Sequence, residues 1–260
     1  RNHYRKELMD FMRERMLEQM TRRQENPGIR LKIIDSLDEN ALTIGFARRF
    51  ATYKRANLLF TNLDRLKSIL SIPERPVQIV FAGKAHPADK AGQDLIKKIV
   101  ELTKSTDVIG KVFFIENYDM EIARKLVQGV DIWLNTPRRP LEACGTSGMK
   151  AAINGVLNLS ILDGWWCEGY TEQRGWRIGN GEEFEDRDYQ DAVESQALYN
   201  VLENEVIPAF YDRKNGDLPG NWLKMMKASM KMAMEMFCSI RMVADYENRF
   251  YIPAAKRHDE

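Results

Sequence analysis

Val77-Gln-Ile-Val-Phe81 is an apolar run of five residues, bracketed by Pro73 and Pro76 on one side and by the turn Gly83-Lys84-Ala85-His86-Pro87 on the other. A run this short and this apolar reads as a strand covered on both faces. Upstream, residues 54–70 place Leu58, Leu59, Leu63, Leu66 and Leu70 on one helical face, and Leu42 to Phe46 reads as a further short strand. Downstream, residues 88–104 read as a helix, Lys111 to Ile115 as a strand, 119–128 as a helix and Asp131 to Leu134 as a strand. A helix over about 146–154 and a strand over Val156 to Ile161 complete the series. Strands of about five residues alternating with helices predict an α/β fold, a Rossmann-like parallel sheet with helices on both faces. Added helices are expected at both ends. Residues 3–24 form an amphipathic stretch (Tyr4, Leu8, Phe11, Met12, Met16, Met20) that Asn26-Pro27-Gly28 stops. Beyond about residue 188 the pattern is helical, over 188–207 and 221–249, with a break near Cys238 and many methionines in the second helix. Core packing explains those methionines better than a binding surface does.

The composition narrows the partners. Lys+Arg 39 against Asp+Glu 38 leaves net +1, which argues against a nucleic acid as main partner. No apolar run approaches the length of a membrane span, and the charged first 24 residues are not a signal peptide. Three scattered cysteines and three histidines give neither a disulfide framework nor a metal centre, and a cytoplasmic, reducing setting is the expectation.

In a parallel sheet, ligands sit at the carboxyl ends of the strands. The loops Ala47 to Tyr53, Gly83 to Pro87, Glu116 to Tyr118, Asn135 to Gly145 and Asp163 to Cys167 all follow strands, so they are the candidate site loops. Glu142-Ala-Cys-Gly-Thr-Ser-Gly-Met-Lys150 combines a carboxylate, small residues that let backbone N–H groups approach a ligand, and a lysine one turn into a helix. The same segment also fits a plain Gly-rich helix start with a solvated lysine. Arg48, Arg49, Lys54 and Arg55 crowd the end of a strand, and two of these cations can converge on a phosphate or stay solvated. Glu142 is either an acceptor for sugar hydroxyls or a loop charge. Tyr118 donates to a phosphate or packs under its loop. Trp165 and Trp166 form a sugar-stacking wall or bury themselves. Cys144 has no histidine beside it and is not read as a nucleophile.

Four blocks in order resemble the α-glucan phosphorylases, the glycogen and maltodextrin phosphorylase family. They are Phe46-Ala-Arg-Arg-Phe-Ala-Thr-Tyr-Lys-Arg55, Phe81-Ala-Gly-Lys-Ala-His-Pro87, Phe114-Ile-Glu-Asn-Tyr118, and Glu142 to Lys150 continuing through Asn154-Gly155 to Asp163-Gly164. The resemblance covers residues 40–165 well and the remainder loosely. It implies the carboxyl-terminal half of a glycosyltransferase-B type fold, with residues 28–260 as the Rossmann-like domain and residues 1–27 contacting or leading from an amino-terminal domain outside this chain. It implies phosphorolysis of α-1,4-glucans to glucose 1-phosphate with retention, using pyridoxal 5′-phosphate. Lys150 would carry the cofactor. Arg48, Tyr118, Thr146 and Ser147 would contact its phosphate, and Arg49 and Lys54 would hold the substrate phosphate. Glu142, Cys144, Gly145 and Tyr53 would contact the glucosyl unit. The partners so implied are α-glucan, inorganic phosphate and the missing domain, with self-association left open. The isolated chain is expected to be inactive. A sugar-nucleotide-dependent synthase of the glycogen or starch type is the alternative, and Lys150 in its Gly-Met-Lys setting argues against it. The chain departs from the family pattern at Arg48 (usually Lys), at Ala51-Thr52 (His-Glu), at Cys144 (Ser), at Ser147-Gly148 (Gly-Asn) and at Trp165-Trp166 (Ala-Asn).

Overall fold

Six parallel strands hydrogen-bond side by side in the order β3-β2-β1-β4-β5-β6 in the computed structural model, which describes residues 1–212 and 219–258. They are β1 (Leu42–Arg49), β2 (Val77–Lys84), β3 (Val112–Ile115), β4 (Ile132–Asn135), β5 (Leu157–Ile161) and β6 (Gly175–Ile178). The chain steps outward from β1 to β3, returns to the centre at β4 and steps outward again. The order therefore reverses between β1 and β4, the position at whose carboxyl edge sheets of this kind ordinarily take a ligand.

The period of two along each strand divides the core into two layers. Leu42, Ile44, Phe46, Ile79, Phe81, Ile132, Leu134, Leu157 and Leu159 face one side. They are covered there by α3 (Leu63–Leu70), α4 (Lys90–Thr103), α8 (Arg187–Val201), α9 (Ile207–Tyr211) and Trp222 of α10 (Gly220–Met236). Val80, Ala82, Phe113, Ile115 and Trp133 face the other side, against α1 (Asn2–Arg22), α5 (Met120–Gly129) and α6 (Thr146–Ile153). Both faces are therefore clothed by helices, as the apolar strands demand.

The apolar stripe of α1 has a destination within this chain. Leu8, Met9, Met12, Met16 and Met20 are buried in the second layer. Arg5 ion pairs with Asp131 at 2.7 Å at the amino edge of the sheet. At the carboxyl edge the buried Gln19 donates to the carbonyl of Phe114 (2.9 Å) and accepts from the backbone N–H of Glu116 (3.1 Å). Those residues thus pack against this chain's own sheet and α5.

The sequence reading misses several short elements and overextends one helix. Pro27 does not simply stop a helix. It occupies the first turn of α2 (Pro27–Asp35), where its missing N–H costs nothing, and the Asn26 side chain caps that helix by accepting from Gly28 N–H at 2.8 Å. β6 is four residues long and opens on glycine, too little pattern to register. The helix read over 54–70 is two short turns, Thr52–Lys54 and Leu58–Phe60, followed by α3 with Asn62 as its cap. The break near Cys238 separates α10 from α11 (Ser239–Tyr246), and α12 (Ile252–His258) follows. Of the methionines in α10, Met225, Met226 and Met232 pack into the core, whereas Met234 and Met236 remain exposed. No helix among the described residues is long and apolar enough to cross a membrane.

Candidate active site at the carboxyl edge of the sheet

Arg48 and Arg49 end β1 and therefore face opposite sides of the sheet. Arg48 is buried, its guanidinium 4.8 Å from the ring of Phe46. Its Nη2 donates to the side-chain carbonyl of Asn135 and to the backbone carbonyl of Leu134 (3.2 Å). Its Nε is buried with no partner. Burial pushes the Arg48 pKa down to about 10, against the pull of Glu142, Tyr118 and Tyr53. Arg49 is exposed and aligned with Lys84 on the neighbouring strand, and neither side chain has an ion pair or hydrogen bond among the described residues.

Lys54 and Glu142 form an ion pair in which both side chains are largely covered. The Lys54 ammonium also lies 4.8 Å from the centre of the Tyr53 ring. Tyr118 is half-buried, and burial, helped by Asp119, raises its pKa against the opposing influence of Arg48, so the phenol remains a donor. Arg48, Tyr53, Lys54, Tyr118 and Glu142 thus occupy one electrostatic neighbourhood.

The turn before α6 is clamped from below. Asp163 accepts from the backbone N–H of Glu142 (2.8 Å) and of Gly164 (2.9 Å), and Trp165 N–H donates to the Cys144 carbonyl (2.8 Å). A side chain at Gly164 would place its Cβ 2.3 Å from that carbonyl, so only glycine admits the contact. Burial raises the carboxyl pKa of Asp163 against these two hydrogen bonds. Cys144 is exposed, with desolvation and then Glu142 and Glu168 raising its thiol pKa, the opposite of what activates a cysteine nucleophile.

Gly145, at φ +94°, precedes the first turn of α6, and no side chain caps that helix start. Thr146 is exposed, and Ser147 accepts from Trp133 Nε1 at 3.2 Å. Lys150 lies one turn further on. Its amine is exposed and pairs with no side chain among the described residues, and its backbone carbonyl accepts from Asn154. The fold therefore joins Lys54 to Glu142 and Tyr53, sets Arg48, Tyr118 and Cys144 within their electrostatic reach, leaves Arg49 on the other face from Arg48, and brings Gly145, Thr146, Ser147 and Lys150 to the same edge on α6. Lys150 itself touches none of the others by a hydrogen bond or ion pair.

Two expectations change. Trp165 and Trp166 are both buried, ring against ring at 5.1 Å, and Trp166 donates to the Trp176 carbonyl, so neither offers a sugar-stacking wall. Arg55 is a tether and not a ligand cation. It is buried, donates to the carbonyls of Thr136 (3.0 Å) and Pro137 (2.8 Å), and ion pairs with Asp191 (2.8 Å) and Glu194 (2.5 Å) of α8. Sequence reasoning also misses Asn135 and Asn158, which link β4, β5 and α6: Asn135 donates to Asn158 (3.3 Å), and Asn158 donates to the Gly148 carbonyl (3.1 Å). Their signal is an amide inside or ending an otherwise apolar strand.

The donor set fits a phosphate-bearing aldehyde cofactor. Arg48 keeps a buried, unpartnered N–H, the start of α6 is uncapped, and Lys150 offers an amine that no acid claims.

The model of the carbohydrate phosphorylase family matches residues 14–173. The glycogen phosphorylase of Aquifex aeolicus is 49% identical over 94% of this chain, and the maltodextrin phosphorylase of Thermococcus litoralis is 50% identical over 96% of it. The chain spans 35% and 29% of those two proteins, about a third of their length, and matches their carboxyl-terminal part. Anabaena HepE, solved in complex with UDP, superposes with a TM-score of 0.56 at 15% identity, over 86% of this chain and 54% of that one, which shows the fold alone. By its sequence over most of its length this chain belongs to the carbohydrate phosphorylase family.

Proposed function

We propose that this chain is the cofactor- and phosphate-binding part of an α-glucan phosphorylase, which cleaves α-1,4-glucans with inorganic phosphate to give glucose 1-phosphate with retention. One observation carries the reading furthest. Two cations from the end of β1 and the turn after it meet a carboxylate from the loop after β4, with Lys54 paired to Glu142 near the buried Arg48.

Pyridoxal 5′-phosphate, when bound, would contribute its phosphate as a proton-relaying group beside the substrate phosphate. Lys150 would hold the cofactor through its amine, with Arg48, Tyr118 and the first turn of α6 (Thr146, Ser147) around the phosphate. Two phosphates approach each other only where cations offset their repulsion. Arg49 and Lys54 would supply that charge on the substrate side, and no acid among the described residues pairs with Arg49. Glu142 would exchange its contact with Lys54 for sugar hydroxyls, and Cys144, Gly145 and Tyr53 would line the glucosyl position. An amino-terminal domain would close the other side of the site, so the isolated chain is expected to release no glucose 1-phosphate.

The test is spectroscopic. Pyridoxal 5′-phosphate added to the full-length protein is expected to give a near-ultraviolet band that survives gel filtration, and Lys150→Ala is expected to abolish it while leaving far-ultraviolet circular dichroism unchanged. A band of equal strength in Lys150→Ala would overturn the assignment.

A further inference from the structure

Two arginines are buried, Arg48 near the end of β1 and Arg55 in the segment after it, and the protein treats their charges differently. Arg55 is neutralised outright by Asp191 and Glu194. Arg48 is hydrogen-bonded only to neutral oxygens, those of the Asn135 amide and the Leu134 carbonyl, and one of its donors stays unpartnered. The carboxylate that acts on Arg48 electrostatically, Glu142, is already ion paired with Lys54. A buried guanidinium ordinarily demands an acid, because an unpaired charge is costly away from water. At this position a carboxylate would satisfy the demand within the protein and leave nothing for a ligand.

We propose that Asn135 is a positioning residue whose neutrality reserves the charge of Arg48 for a phosphate-class anion. Its carbonyl fixes the guanidinium without neutralising it. Its amide nitrogen is oriented by Asn158, which in turn holds the Gly148 carbonyl two residues before Lys150. The same pair of amides therefore sets the guanidinium and the lysine-bearing helix relative to one another across three strands. This inference rests on the cofactor reading for the identity of the anion but not for its class.

Asn135→Asp tests it, because the change is nearly isosteric and adds only charge. A purely structural role would be satisfied as well or better by the carboxylate, since charge-assisted hydrogen bonds to arginine are the stronger ones. The expected result in the full-length protein is a melting temperature equal to or above that of the wild type. Affinity for pyridoxal 5′-phosphate, read from its near-ultraviolet band, should fall about ten- to a thousandfold, the range over which a neighbouring opposite charge shifts an equilibrium. Inorganic phosphate should raise the melting temperature of the wild type and not that of the variant. If the wild type ignores the cofactor but phosphate still protects it alone, the cofactor reading falls and the role of Asn135 stands. If the variant responds to both ligands as the wild type does, or if neither ligand affects either protein, the role of Asn135 is refuted.

Discussion

Arg55 has a left-handed backbone (φ +46°) and a buried side chain with four oxygen partners, and its cost of removal follows from that. Arg55→Met would leave Glu194 buried without its cation, which for broken buried pairs costs about 3–5 kcal/mol, measurable by urea unfolding. The loss should depend on pH. Burial pushes the Glu194 carboxyl pKa up, outweighing the pull of Arg55 and Gln190. The folded state then binds the proton more tightly than the unfolded one, so the stabilising contribution is full below the ordinary glutamate value of about 4.3 and is lost as pH rises through the folded value. Without Arg55 that value rises further. Arg55→Met is expected to lose more stability than the wild type as pH rises above the ordinary glutamate value of about 4.3. A parallel pair of stability curves would contradict this. Four cations within eight residues were legible in the sequence, but which of them the fold consumes was not, because the acids that claim Arg55 arrive on α8, more than a hundred residues away.

The element that governs the Tyr118 loop is α1. Gln19 holds the backbone on both sides of the end of β3, and Arg22 and Arg23 ion pair with Glu116. The helix can reach so far in because it crosses α5 at Gly129, where an added Cβ would come within 2.5 Å of the Leu8 Cβ and 3.0 Å of the Tyr4 carbonyl. Gly129→Ala is therefore expected to lift α1, destabilise the fold by about 1–3 kcal/mol as overpacked sites do, and, on the function proposed above, broaden the near-ultraviolet band given by added pyridoxal 5′-phosphate. A variant with unchanged stability would show that α1 shifts freely. The period of α1 was legible from its apolar spacing. Its destination was not, since a stripe of leucine and methionine fits any apolar surface. The core strands β1, β2, β4 and β5 were legible as well, because burial on both faces leaves a nearly unbroken apolar run. β6 lies at the edge of the sheet with Arg177 exposed, and its pattern is correspondingly thin.

At the scale of the molecule, the chain separates a dense body from an outlying tail. Residues 239–257 are exposed throughout apart from Asp245 and Pro253, which are half-buried, and they present Ile240, Val243, Phe250 and Tyr251 to solvent. Ending the chain after Cys238 is expected to change the unfolding free energy by less than about 1 kcal/mol, as for surface changes outside a core, and to lower self-association in sedimentation. A large loss of stability would mean that the tail braces the body. The candidate site, by contrast, belongs wholly to the body, and the four-block pattern located its loops because they are the loops that follow strands. The Asn135–Asn158 link was hidden, since an amide in a strand names no partner until the register is known.

The loops after β1 and β4 are laced together. Arg138 N–H donates to the Tyr53 carbonyl at 2.7 Å, Thr136 donates to the Lys54 carbonyl at 3.0 Å, and Arg55 spans the same gap in the opposite direction. A bed sewn this tightly is an anvil and not a jaw. On the function proposed above, admission and discharge of the polymer would be timed by something that swings across it from outside, and substitutions that alter turnover without touching the ligand should gather at that distant pivot.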